Sequence, residues 1–274
     1  MSTLNRILQL KAPARATAPV VVTNENLPLA GRVALVSGAA HGIGRCIALS
    51  LAQRGAAVIV NHDHDSLEAE TICATIHSFG ATVDSFLCDV GDPSACNEMV
   101  EHILEHHSQI DILINNAGIR RDAPFHRMNR RQWDDVLTTN LNGAFNLTRA
   151  VINPMRQRRY GRIVFLTEPP VRIAGPGQAN LAASKAALMG FARSIAEENA
   201  DHGITVNCVQ PGFIETRRMQ RLSEGERDRI LSRIPCKRFG RPEEVANLIE
   251  FLVSDRASYI TGQEYRIDGG LAAG

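Results

Sequence analysis

Val33-Ala34-Leu35-Val36-Ser37-Gly38-Ala39-Ala40-His41-Gly42-Ile43-Gly44 is the stretch whose reading decides the fold. Its first four residues form an unbroken apolar run, the pattern of a parallel strand buried on both faces. Glycines follow at fixed offsets. Gly38 permits a tight turn, Gly42 lets the backbone approach a pyrophosphate, and Gly44 permits close helix–sheet contact. The pattern predicts a helix from Gly42 to Arg54, whose N-terminal N–H groups would face the phosphates. A strand before and a helix after the glycines is the context that a dinucleotide-binding turn requires.

The same alternation continues outward. Ala57–Val60, Val83–Cys88, Ile110–Ile114, Ile163–Leu166 and Ile204–Val209 read as further strands. Helical patterns lie over Ser66–Phe79, Pro93–His107, Arg130–Arg156, Ala179–Ala200 and Pro242–Val253, the last with Pro242 suited to a first turn. A βαβ series of this kind predicts an α/β fold, a single Rossmann-type doubly wound parallel sheet with helices on both faces. The chain of 274 residues is long enough for one such domain, assigned to 31–274. Residues 1–30, rich in Ala, Pro, Thr and Val, are expected to be a flexible extension. A transit peptide is the alternative for that stretch, since Arg6 and Lys11 stand among Leu4, Ile7, Leu8 and Leu10.

Composition excludes several function classes. A net charge of +1 makes no case for nucleic acid or an anionic membrane. No apolar run reaches the ~18 residues that span a bilayer. The six cysteines form no C-x-x-C pair, which argues against a zinc site or disulfide framework and for a reducing, cytoplasmic compartment. His62 and His64 in Asn61-His62-Asp63-His64-Asp65 are better read as a solvated loop than as metal ligands, so no metal is expected.

Further stretches extend the pattern: Asn115-Asn116-Ala117-Gly118, Thr139-Asn140-Leu141, Ser184-Lys185-Ala186-Ala187, Pro211-Gly212, Ile260-Thr261-Gly262 and Asp268-Gly269-Gly270. With the glycine turn they resemble the short-chain dehydrogenases/reductases over about residues 30 to 272. Gly118-Ile119-Arg120-Arg121-Asp122 and Gly212-Phe213-Ile214-Glu215-Thr216 are most similar to the 3-oxoacyl-[acyl-carrier-protein] reductases within that superfamily. The resemblance implies an NAD(H) or NADP(H) site lined by Gly38, His41, Gly42, Ile43, Gly44, Asp89, Val90, Asn115, Ala117, Gly118, Lys185, Pro211, Gly212, Ile214 and Thr216. The preference between the two cofactors stays open. Asp63 would repel a 2′-phosphate, and the Arg that often clamps it is His41 here.

The resemblance also implies a catalytic set of Ser, Tyr, Lys and Asn, in which the Tyr hydroxyl donates a proton to a carbonyl oxygen as hydride reaches its carbon. Lys185 and Asn140 match that set. The Tyr position, four before Lys185, is Leu181, and the Ser position is Glu168. A positioned general acid contributes on the order of 10²–10⁴ in rate, so the standard route is expected to be largely lost. Glu168 is expected to be ionised and paired with Lys185 rather than to serve as a substitute acid, because opposite charges at ~4 Å attract by about 4 kcal/mol at an effective dielectric of roughly 20. Thr167 should face away from Glu168 across the strand.

The expected function is thus a catalytically impaired subunit, a pseudoenzyme in fatty-acid or polyketide synthesis that partners an active ketoreductase. The alternatives are an active reductase of a keto substrate, such as a carrier-bound 3-oxoacyl group, with a different proton donor, and a cofactor-binding sensor. The resemblance further implies a homo- or hetero-oligomer, with a tetramer expected. It also implies an acyl carrier protein docked at Arg159, whose companion position is His202, with Arg120 and Arg121 adding positive charge.

Overall fold

The computed structural model describes residues 27–64, 66–168 and 176–272. Seven parallel strands make one sheet: β1 (Val33–Val36), β2 (Ala57–His62), β3 (Val83–Leu87), β4 (Ile112–Asn115), β5 (Gly161–Leu166), β6 (Ile204–Pro211) and β7 (Glu264–Ile267), in the order β3-β2-β1-β4-β5-β6-β7. This is the doubly wound α/β fold that the sequence pattern predicts. Every residue of β1, β4 and β5 is buried, which is why these strands read as continuous apolar runs rather than alternating ones.

Successive side chains of a strand point to opposite faces, and β1 divides accordingly. Ala34 and Val36 join one core with α1 (Gly42–Gln53), α2 (Ser66–Ser78) and α9 (Pro242–Val253). Val33 and Leu35 join the other with α3 (Pro93–His107), α5 (Gly143–Arg158) and α6 (Ala179–Asn199). Leu29 is already buried, and its N–H donates to the Arg54 carbonyl. The chain leaves β1 toward β2 on one side and later returns to β4 on the other. The reversal opens a crevice beyond the carboxyl ends of β1 and β4, where open α/β sheets bind ligands.

Some elements differ from the sequence expectation. Arg130–Arg156 is not one helix: α4 (Arg130–Leu137) and α5 are separated by a π turn over Thr138–Asn142. No proline or glycine run marks this break in the sequence. A tertiary contact accompanies it: the Asn140 side chain accepts from the Ile119 N–H and donates to the Ile119 carbonyl. Strand β7 and the short helices α7 (Arg217–Gln220) and α8 (Glu224–Arg233) also lie outside that expectation. Glu-Tyr-Arg-Ile in β7 is only partly buried at the sheet edge, so it lacks an apolar run. Among the described residues, no helix is long and apolar enough to cross a membrane.

Candidate active site

The loop after β1 is held rigid by side chains from neighbouring strands. The Ser37 hydroxyl donates to the Ile114 carbonyl and accepts from the N–H groups of Asn116 and Ala117. The Asn116 amide donates to the carbonyls of Ser37 and Gly38, each at 2.9 Å. Asn61, at the end of β2, accepts from the Gly38 N–H and donates to the Cys88 carbonyl. Gly44 sits where α1 meets the turn: a Cβ there would lie 2.4 Å from both the Gly38 carbonyl oxygen and Asn116 Nδ2. Gly42 differs, since a Cβ would meet nothing within 4 Å and φ is +58°. Its backbone borders open space at the start of α1, a place suited to a phosphate.

A groove of about 930 Å³ runs past this turn. It gathers Gly38, His41, Gly42, Ile43, Gly44, Asp89, Val90, Ala117, Gly118 and Thr216, together with Asp63, His64 and Glu68. Asn115 behaves otherwise. It is buried at the end of β4, its amide donates to the Thr148 hydroxyl, and among the described residues its Oδ1 has no hydrogen-bond partner. His62 is buried while His64 pairs with Asp63 on the surface, and no group of three metal-binding side chains occurs among the described residues.

The groove continues into a second cavity of about 450 Å³, with Ile43, Gly118, Ile119 and Thr216 on the boundary. Asn140, Glu168, Leu181, Lys185, Pro211, Gly212 and Ile214 line it. Lys185 and Leu181 stand one turn apart on α6, so they present to the same side. Leu181 is 2% exposed and contributes only carbon to the cavity wall. Gly118 lets the chain pass close to the amine: a Cβ there would lie 3.6 Å from Lys185 Nζ and 3.3 Å from Asn140 Oδ1.

The expected Glu168–Lys185 ion pair does not form. Lys185 Nζ donates to the Leu166 carbonyl at 2.7 Å, and Glu168 Oε1 accepts from Arg120 at 2.5 Å. The physical reason is depth. Lys185 is buried on α6, whereas the Glu168 carboxylate is about 30% exposed at the cavity mouth, where Arg120 is similarly exposed. A half-solvated carboxylate meets the half-solvated guanidinium at little desolvation cost. Burial pulls the Lys185 pKa down to about 8; the Glu168 charge opposes that shift and the Arg120 charge adds to it. Thr167 is buried and its hydroxyl bonds the Val209 carbonyl, while Glu168 is partly exposed.

A family profile described as enoyl-(acyl carrier protein) reductase matches residues 38–272. The chain is 44% identical over 243 residues to the 3-oxoacyl-[acyl-carrier-protein] reductase of Thermotoga maritima, covering 89% of this chain and 98% of that one. The corresponding reductase of Escherichia coli is 43% identical over 242 residues, covering 88% and 97%. That of Staphylococcus epidermidis is 41% identical over 238 residues, covering 87% and 98%. This chain belongs to the short-chain dehydrogenase/reductase family.

The roles of several residues here are not readable from residue type, even where, as with Asn116, they stand in a quoted motif. Asn116 and Asn61 act through hydrogen bonds to backbone, which need β1, β2 and β4 to be adjacent. Asn180 works similarly, donating to the carbonyls of Arg121 and Gln132 and so tying the loop after β4 to α6. Arg120, which the sequence alone places only as added surface charge, is the partner of Glu168 in the fold. Arg159 caps α5 in a left-handed conformation (φ 54°), and its guanidinium donates to the Asp201 carbonyl, next to His202.

Proposed function

We propose that this short-chain dehydrogenase/reductase binds a nicotinamide dinucleotide but lacks the family's usual proton-donating site, and that it serves as a catalytically impaired subunit beside an active 3-oxoacyl reductase. The observation that carries this reading is Leu181. At the position one turn before Lys185, where the family mechanism needs a hydroxyl, the cavity wall is a buried hydrocarbon side chain. Glu168 does not replace that hydroxyl, because its carboxylate sits at the cavity mouth as a hydrogen-bond acceptor from Arg120 rather than on the Leu181 side of Lys185. The intact turn around Gly38–Gly44 supports retained nucleotide binding. Asp63 beside the groove would repel a 2′-phosphate, while Arg217, paired with Glu68, offers compensating charge; both cofactor forms are therefore to be tested. A cytoplasmic, oligomeric assembly and carrier docking near Arg159 belong to the same reading.

One observation favours turnover by another donor. An ammonium with a pKa near 8 lines the cavity beside Leu181, and Lys185 could supply the proton itself. The experiment separates the two readings. The purified chain is titrated with NADH and NADPH by fluorescence and assayed for acetoacetyl-thioester reduction, and its complexes are then isolated from the native host. Nucleotide binding with negligible turnover, and an active homologous subunit in the complex, are the expected results. Robust turnover by the isolated chain would overturn the impaired-subunit reading.

A further inference from the structure

The charges around the inner cavity are unbalanced. Among the described residues, Arg120, Lys185, Arg218 and Arg233 line it, against the one carboxylate of Glu168. Arg120 comes from the loop after β4, Lys185 from α6, Arg218 from α7 and Arg233 from α8. Glu168 accepts a hydrogen bond from Arg120, and its field also reaches Lys185 and Arg218. Among the described residues Arg218 makes no ion pair or side-chain hydrogen bond, and Asp122, the other acid that acts on it, accepts from Gln178. Partial burial and the Arg120 charge lower the Arg218 pKa, the signature of a cation short of counter-charge. Leu166, Leu181, Phe213, Met219, Leu222 and Ile230 add apolar lining to the same cavity.

We propose that this cavity takes an amphipathic anion, a ligand with an apolar chain and a terminal carboxylate or phosphate, whose anionic oxygens sit between Arg120 and Arg218, and that Glu168 is a tethered competitor for that place. Guanidinium forks match the geometry of either anion. The inference rests on the proposed reading of this cavity as the reaction pocket around Lys185 and Leu181, but not on cofactor binding or turnover.

The test is calorimetric titration of the full chain, without cofactor, with octanoate, octyl phosphate and uncharged methyl octanoate. Either anion should bind at least tenfold more tightly than the ester, and the better of the two identifies the head group. Glu168→Gln should tighten the anion by up to about fivefold, the most a partly exposed ion pair is worth. Arg218→Gln should weaken it while leaving the ester unchanged. Equal affinity for anions and ester, or no effect of Glu168→Gln and Arg218→Gln on the anions, overturns the proposal. Because NADH and NADPH are titrated separately, failure here is distinguishable from failure of the nucleotide reading.

Discussion

Replacing Lys185 by Met should make the protein more stable at neutral pH and less stable at high pH. Lys185 ordinarily titrates at 10.5 and is lowered to about 8 in the fold, chiefly by burial. At about 1.36 kcal/mol per pH unit, keeping it charged at pH 7 costs the folded state about 3 kcal/mol. Between pH 8 and 10.5 the unfolded chain binds more protons than the folded one, so the stability of the wild type rises with pH in that window. Above 10.5 the amine is neutral in both states and the penalty is gone. Met fills similar volume without the charge, but the Leu166 carbonyl loses a donor now at 2.7 Å, a loss of about 1–2 kcal/mol. The Lys185→Met protein should therefore exceed the wild type by about 1–2 kcal/mol at pH 7. The two should cross near about pH 9, and the variant should fall below the wild type by a similar amount above pH 10.5. Urea unfolding of both proteins across pH 7–11, followed by circular dichroism, reads this directly. A stability difference that stays constant across the range would refute the argument that Lys185 is held at an electrostatic cost.

Leu181→Tyr combined with Glu168→Ser should raise acetoacetyl-thioester reduction by about 10²-fold or more over the unmodified chain, since a positioned acid contributes on that scale; a double variant no faster than its parent would show that more than the acid is missing. Gly44→Ala forces a Cβ to within 2.4 Å of the Gly38 carbonyl and the Asn116 amide, so NADH and NADPH titrations should show binding lost and urea unfolding a penalty of about 1–3 kcal/mol. Asn140→Ala leaves both backbone groups of Ile119 without their partner and should cost roughly 2–4 kcal/mol, read by the same unfolding assay.

Much of the fold was legible from residue type alone. The run Val33–Val36 and the glycines after it specify a buried strand, a tight turn and a helix start, all local consequences of side-chain size and backbone freedom. Parallel strands buried on both faces leave apolar runs that need no tertiary information to read. What escaped the sequence were features set by partners far along the chain. The π turn at Thr138–Asn142 is held through Asn140 by the backbone of Ile119, and β7 is a strand because it pairs with β6 rather than because it is apolar.

The site divides the same way. Lys185 and Leu181 are four residues apart on one helix, so the sequence by itself determined that an amine and a hydrocarbon side chain share a face. Which charges meet was a tertiary decision. Glu168 and Arg120 lie 48 residues apart, yet the chain ends of β4 and β5 bring them together at the cavity mouth, while Lys185 lies deeper and bonds a backbone carbonyl instead. Attraction between opposite charges is long-ranged and unspecific about partners; depth from solvent, which only the folded chain sets, chooses among them.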